Sequence, residues 1–157
     1  MSEDVTARLT QAIELAVRNV AAGGGPFGAI VVTPDGRVFE GVNRVTTDND
    51  PTAHAEVTAI RAACRALGTF DLSGCVLYAS CEPCPMCLAS ALWARVDRVY
   101  FAADRHDAAR AGFDDAVFYD YFEGRGDRSM MPVERVRVAE SDGPFRSWAA
   151  FEARVKY

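Results

Sequence analysis

Apolar residues recur every three or four positions along residues 3–22, a spacing that predicts an amphipathic helix. The repeating positions are Val5, Leu9, Ala12, Ile13, Ala16, Val17 and Val20. Three consecutive glycines at 23–25 are expected to end this helix. Two short apolar runs follow at 29–32 and 38–42, joined by turn-forming residues at 33–36. This part of the chain therefore predicts a β-hairpin.

After a polar loop at 43–52, the pattern becomes an alternation of helices and strands. It predicts helices over 53–67, 85–95, 116–122 and 145–155, and strands over 75–79, 98–102 and 133–138. A hairpin followed by strand–helix–strand units indicates a mixed sheet with helices on both faces. The expected fold class is therefore α/β, a three-layer α/β/α sandwich with a mixed five-stranded sheet.

The composition fits a single compact domain over residues 1–157. Half of the residues are hydrophobic, which is enough for a sizeable core. No apolar run is long enough to cross a membrane, and the acidic N-terminus does not resemble a secretory signal. The formal net charge is −5 and the arginines are interspersed with acids, so we expect a small-molecule substrate and no nucleic acid or membrane partner. The expected location is the cytoplasm.

Two short motifs carry the candidate chemistry: His54-Ala55-Glu56 and Pro83-Cys84-Pro85-Met86-Cys87. Together they supply one imidazole, two thiols and a spare carboxylate. Each motif lies at the start of a predicted helix, where the helix N-terminus stabilises a thiolate. The motifs predict one zinc ion per chain bound by His54, Cys84 and Cys87, with the fourth position open. Glu56 is then the predicted catalytic proton shuttle.

Other uses of these residues stay open. A structural zinc site needs a fourth protein ligand, for which Cys81 and His106 are the candidates. A redox role for the Cys84–Cys87 pair would not explain the His-Ala-Glu motif. The odd total of five cysteines argues against a disulfide framework, and Cys64 and Cys75 are expected to be small buried side chains.

The motifs Pro51-Thr52-Ala53-His54-Ala55-Glu56 and Cys81-Glu82-Pro83-Cys84-Pro85-Met86-Cys87 resemble the cytidine deaminase-like superfamily of zinc hydrolases. Pro26-Phe27-Gly28-Ala29 and Asn43 resemble its branch of guanine deaminases and tRNA adenosine deaminases. Within that branch, residues 108–115 and the aromatic tail at 144–157 resemble the small bacterial guanine deaminases. The resemblance covers nearly the whole chain and implies hydrolytic deamination of guanine to xanthine and ammonia.

The resemblance also implies roles for residues around the metal. The implied contacts to the purine are Asn43, Phe27, Trp93, Asp115, Asp114 and Tyr157. The implied assistants of proton transfer are Glu82 and Glu140. Tyr157 is implied to be a lid residue, in a homodimer whose C-terminal segment 144–157 is swapped onto the partner.

Several of these roles have a structural alternative. The two ring residues Phe27 and Trp93 could belong to the core, and the adjacent acids Asp114 and Asp115 could cap a helix. A terminal tyrosine commonly frays. The substrate also stays open, because a small change in a pocket wall redirects such enzymes. The alternative substrates are guanosine, a cytosine-type base or an aminotriazine. Adenosine in tRNA is a less favoured alternative, because the tRNA enzymes have a basic terminal helix and the last helix here is only weakly basic.

Overall fold

The computed structural model describes residues 3–157; residues 1 and 2, which the sequence analysis includes in the domain and its acidic N-terminus, lie outside the described residues. The helices are α1 (Glu3–Ala21), α2 (Val45–Asp48), α3 (Ala55–Leu67), α4 (Pro85–Trp93), α5 (Arg105–Arg110), α6 (Ala116–Glu123) and α7 (Gly143–Ala150). The strands are β1 (Gly28–Val32), β2 (Val38–Val42), β3 (Val76–Cys81) and β4 (Arg98–Ala103). A turn of 3-10 helix covers Arg128–Met130. No helix within residues 3–157 is long and apolar enough to span a bilayer.

The four strands form one mixed sheet in the order β2-β1-β3-β4. Strand β1 pairs antiparallel with both β2 and β3, whereas β3 and β4 are parallel. Strands β2 and β3 therefore run in the same direction, and their carboxyl ends lie at the same edge of the sheet. Helices α3 and α4 follow these two strands in the chain, so both helices begin near that edge, where sites in α/β sheets form.

Helices cover both faces of the sheet, because successive strand residues point to opposite sides. The buried residues between the sheet and α1 are Val5, Leu9, Leu15, Ile30 and Tyr78. The larger core on the other face, beneath α3 and α4, includes Ala29, Val31, Ala59, Ile60, Ala63, Leu77, Ala79 and Ala91. The predicted α/β class, mixed sheet and helices on both faces are confirmed.

The predicted fifth strand at residues 133–138 is wrong, since the sheet has four strands. Val133, Val136 and Val138 are 76%, 77% and 68% exposed, and the segment pairs with no strand within the described part of the chain. A strand needs a neighbour to satisfy its backbone hydrogen-bonding groups. Segment 133–138 has the composition of a strand but finds no such neighbour between residues 3 and 157.

One helix boundary differs substantially from the prediction, and two short helices were not predicted. The last helix ends at Ala150 instead of residue 155, and none of its residues is buried. The polar loop at 43–52 contains the single-turn helix α2. Helix α5 follows β4 directly, and its first turn forms a capping box. The Asp104 carboxylate accepts the backbone N–H of Asp107, and the Asp107 carboxylate accepts the backbone N–H of Asp104.

Gly41 on β2 allows helix α3 to approach the sheet closely. A Cβ atom at this position would overlap the carbonyl oxygen of Ala55 and the backbone of Ala59. Ala59 and Ala63 are themselves fully buried against the strands. Small residues on both elements thus determine the distance between α3 and the sheet. This distance in turn determines the position of the residues at the N-terminus of α3.

Candidate active site

The two motifs form the N-termini of helices α3 and α4. His54 is the N-cap of α3 and Cys84 is the N-cap of α4; both have extended backbone, and neither side chain caps its helix. Pro85 occupies the first turn of α4, where its missing N–H is not needed. Cys87 lies one turn along, on the same face as Cys84. The imidazole and both thiols are therefore free to bind a ligand.

The three ligand atoms lie close together. His54 Nδ1 is 3.6 Å from Cys84 Sγ and 3.4 Å from Cys87 Sγ, and the two sulfurs are 3.6 Å apart. A tetrahedral zinc ion, with ligands at about 2.0–2.3 Å, holds these atoms about 3.3–3.8 Å from one another. One nitrogen and two sulfurs are donors that zinc favours. His54, Cys84 and Cys87 thus fit one zinc ion.

Neither candidate for a fourth protein ligand joins this group. Within residues 3–157, His54, Cys84 and Cys87 are the one cluster of three or more potential ligands whose atoms converge. Cys81 Sγ instead lies 3.6 Å from the carbonyl oxygen of Asp104, and burial raises the pKa of its thiol to about 11. His106 is exposed on α5. Three protein ligands leave a zinc ion with an open position, as catalytic sites require.

The charges of the site favour metal binding. A hydrogen bond with Cys87 and a second with His54 lower the pKa of Cys84 to about 4, so this thiol is ionised at neutral pH. The same hydrogen bond with Cys84 raises the pKa of His54. Cys87 keeps its proton beside the Cys84 thiolate, with a raised pKa, until a cation displaces it.

Glu56 is the second residue of α3, two positions after His54, and its side chain is 7% exposed. Burial raises the pKa of its carboxyl group above the ordinary value for glutamate. A carboxylate with a raised pKa is a better proton acceptor near neutral pH than an exposed one. Glu56 is not among the converging ligand atoms, so it remains a carboxylate available beside the metal cluster.

The metal cluster opens into a cavity of about 480 Å³, a size that suits a small heterocycle. The sequence-predicted residues that line it are Phe27, Asn43, His54, Glu56, Glu82, Cys84, Asp114 and Asp115. The structure adds lining residues that the sequence analysis did not single out: Gly23, Gly24, Gly25, Val45, Thr46, Ala108, Phe113 and Phe118. Phe113 contacts Phe27 edge to face, with ring centroids 5.0 Å apart.

Asp115 lines this cavity, and one of its carboxylate oxygens is buried without a hydrogen-bond partner. It precedes α6 but makes no capping hydrogen bond, so the helix-cap alternative does not use its carboxyl group. Its Oδ1 atom is buried and is the one such side-chain atom in residues 3–157 without a hydrogen-bond partner. Burial raises its pKa, and the nearby Cys84 thiolate adds to that shift. A buried acceptor without a partner in the protein requires a donor from outside it, such as a water molecule or a bound ligand.

Three residues with implied roles do not line the cavity. Trp93 is 65% exposed at the end of α4, and its ring contacts Tyr157 of the same chain at 5.9 Å between centroids. Tyr157 is 69% exposed. Glu140 is exposed and forms an ion pair with Arg146. Within a single chain, the structure therefore does not bring Trp93, Tyr157 or Glu140 to the metal cluster.

Glu82 lines the cavity, and its carboxylate is held by Arg105. Two guanidinium nitrogens donate to its two oxygens at 2.6 and 3.2 Å, and the backbone N–H of Arg105 donates at 3.0 Å. These hydrogen bonds lower the pKa of Glu82, so its carboxyl group stays ionised. The Arg105 guanidinium also lies 3.5 Å above the ring of Tyr119, whose hydroxyl donates to the carbonyl oxygen of Pro83. Proton transfer by Glu82 remains a prediction.

Comparison with known proteins identifies the class to which this fold and site belong. Residues 2–103 match the model of the cytidine and deoxycytidylate deaminase zinc-binding region. The chain belongs to this family of zinc-dependent deaminases, and its His54, Cys84 and Cys87 cluster is able to hold a metal ion.

Individual relatives are similar over different shares of the chain. A guanine deaminase from Bacillus subtilis is 49% identical over 95% of this chain and 96% of its own length, and the crystal structure of a B. subtilis guanine deaminase superimposes with a TM-score of 0.91. That structure is 46% identical and covers 100% of this chain and 99% of the other. The structure of a guanine deaminase from Nitrosomonas europaea has a TM-score of 0.66 and 36% identity, over 76% of this chain and 72% of the other. A tRNA-specific adenosine deaminase from Agrobacterium fabrum is 49% identical over only 50% of this chain and 51% of its own.

The metal assignment predicts different outcomes for two neighbouring cysteines. Purified wild-type protein should contain about one zinc per chain, and Cys84→Ser should lose it because a hydroxyl is a poor zinc ligand. Cys81→Ser is the matched control and should retain zinc, since Cys81 lies outside the cluster. Metal analysis by mass spectrometry measures both. Equal loss of zinc from the two variants would contradict a three-ligand site.

Proposed function

We propose that this protein hydrolyses guanine to xanthine and ammonia, with zinc at His54, Cys84 and Cys87. The observation that carries the proposal is the unpaired Asp115 acceptor in the cavity that holds this metal cluster. Guanine presents N–H groups on the same edge as the amino group that is removed. Similarity to guanine deaminases over nearly the full chain supports the same substrate.

Glu56 performs the proton transfers in this proposal. When bound, zinc supplies Lewis acidity, which makes a water molecule a nucleophile at neutral pH. The Glu56 carboxylate accepts the proton of the attacking water and delivers protons to a ring nitrogen and to the departing 2-amino group. Its burial beside the cluster, with a raised pKa, suits a group that both accepts and returns a proton.

Base recognition is assigned to the residues that surround the remainder of the cavity. Asp115 accepts hydrogen bonds from guanine N–H groups, and Asp114 lies beside it on the cavity wall. The Oδ1 atom of Asn43 accepts the N–H of Val45 at 3.2 Å, which directs the amide for use of its Nδ2 donor on the purine. The half-buried ring of Phe27 both packs on the core and lines the cavity, so its two interpretations are compatible.

A tRNA substrate is less compatible with these observations. The net charge of −5 gives the protein few means to neutralise phosphates. The tRNA-specific relative from A. fabrum matches only half of this chain, whereas the superposition on a guanine deaminase structure covers all of it, the tail included. Guanosine, cytosine-type bases and aminotriazines are the alternatives that the substrate screen below distinguishes.

The unit proposed here is a homodimer of chains that each form one domain over residues 1–157. In a single chain the tail exposes a series of large apolar side chains: Phe145, Trp148, Phe151, Val155 and Tyr157. Helix α1 likewise exposes Ile13, Val17 and Val20, which line an apolar cavity of about 380 Å³ next to β4. Such exposed apolar surface is typical of an interface.

A second copy of this chain is the occupant we propose for that surface. Segment 144–157 of one protomer covers the apolar surface of its partner, and Tyr157 then closes the partner's cavity as a lid. The outer edge of β4 can accept residues 133–138 of the partner, which have strand composition but pair with no strand among residues 3–157 of their own chain. The zinc-binding thiolates must stay reduced, so the proposal places the dimer in the cytoplasm.

The substrate assignment is tested by ammonia release from a panel of amino-substituted heterocycles. Guanine should be turned over faster than guanosine, cytosine, adenine or an aminotriazine. If another compound is turned over faster, that compound replaces guanine as the proposed substrate.

The role of Glu56 is tested by substitution. Glu56→Gln should retain zinc and secondary structure but slow guanine turnover by about 10³-fold, because it removes the proton acceptor. A Glu56→Gln rate within about tenfold of wild type would exclude Glu56 as the proton shuttle.

The tail is tested by deletion of Val155 to Tyr157. Because the proposed lid excludes water and leaves little space for a ribose, its loss should reduce guanine turnover at least about tenfold and increase the relative rate on guanosine. Zinc content should not change. A truncated protein with full activity would contradict the lid.

The dimer is tested by the molecular mass in solution. Light scattering of the wild-type protein should give twice the 17.0 kDa mass of one chain. A monomeric protein would contradict the dimer.

A further inference from the structure

Asn19, in the last turns of α1, holds two loops of the substrate cavity together. Its Nδ2 atom donates to the carbonyl oxygen of Gly25 at 2.8 Å and to that of Asn43 at 2.9 Å. An amide nitrogen has two N–H groups, and both are used. Gly25 and Asn43 line the cavity, whereas Asn19 does not. Asn19 therefore contacts residues of the cavity wall without lining the cavity itself.

The glycine loop fits around Asn19 without spare room. The backbone N–H of Gly24 donates to the Asn19 carbonyl oxygen at 2.8 Å. A Cβ atom on Gly24 would overlap the Asn19 amide, and one on Gly25 would lie 3.0 Å from the Asn43 side chain. The loop is glycine at these positions because the Asn19 amide and the Asn43 side chain occupy the space that larger residues would need.

Three hydrogen bonds fix the position of Asn43. Its backbone N–H donates to the carbonyl oxygen of Phe27 at 3.1 Å, its carbonyl accepts from Asn19, and its Oδ1 accepts from Val45. Two of these three contacts involve residues near it in the strand pairing or the chain. The contact with Asn19 is the one that fixes Asn43 to helix α1 and to the glycine loop.

We infer that Asn19 is a positioning residue for purine recognition, which acts through Asn43 and the Gly23–Gly25 loop without touching the substrate. The inference rests on the proposed function, in which Asn43 donates to the purine. An Asn43 side chain displaced by a fraction of an ångström would still leave the metal cluster and Glu56 in place. Asn19 therefore affects substrate binding more than the chemical step.

The test compares substitutions at Asn19 with one at the adjacent exposed residue Arg18. Asn19→Ala removes both donors, and Asn19→Asp replaces them with an acceptor that faces two carbonyl oxygens. For both variants we expect KM for guanine to rise about tenfold or more, with kcat changed less than about threefold and zinc content unchanged. Arg18→Ala should leave KM and kcat unchanged. Asn19→Ser, which keeps one donor, replaces Asn19→Ala if that variant does not fold.

A double-mutant cycle shows whether Asn19 acts through Asn43. In an Asn43→Ala protein the positioned amide is absent, so adding Asn19→Ala should raise KM by less than about threefold further. Additive effects, or an Asn19 variant whose KM stays at the wild-type value, would overturn the inference. A fall in kcat with loss of zinc would also overturn it, as that result indicates a structural role. Absence of guanine turnover by the wild-type and Arg18→Ala proteins would instead refute the proposed function.

Discussion

The close packing of helix α3 on the sheet is the constraint on which the site depends. Gly41 and Ala59 allow α3 to pack close to the sheet, because a side chain at position 41 would overlap the backbone of the helix. This packing places His54, at the start of α3, within 3.6 Å of both sulfurs at the start of α4. A shift of about an ångström would separate the three donors beyond the span of one zinc ion. The small residues beneath α3 are thus as necessary to the metal centre as the ligands themselves.

The metal centre and the cavity wall that is proposed to recognise the base are built from different kinds of structural element. The metal ligands and Glu56 lie at the N-termini of two core-packed helices, where oriented backbone N–H groups favour thiolate and carboxylate. The residues proposed to recognise the base lie on loops, and the short helices α5 and α6 add the lining residues Ala108 and Phe118 and pack near the centre through Arg105 and Tyr119. This arrangement separates chemistry from specificity, which explains how one fold accommodates deaminases of different bases.

Local sequence patterns predicted the parts of this structure that local interactions determine. The helices that begin near His54 and Cys84 and the first four strands follow from the periodicity of apolar residues and from the turn-forming residues between them. The lining residues Val45, Thr46 and Phe118 could not be identified, because they meet the metal centre only through the tertiary fold. The strand predicted at 133–138 failed for a different reason: its strand-like composition is present, but a strand also requires a neighbour, and residues 3–157 of its own chain do not provide one. Trp93 likewise lies away from the cavity, because the end of α4 points out of the core.

The central claim is that three protein atoms hold a zinc ion whose fourth position is open. X-ray absorption at the zinc edge of the purified protein measures this coordination directly. The account predicts two sulfur neighbours at about 2.3 Å, with one nitrogen and one oxygen at about 2.0–2.1 Å. A third sulfur, or a second imidazole nitrogen in place of the oxygen, would show a closed structural site and contradict the catalytic account.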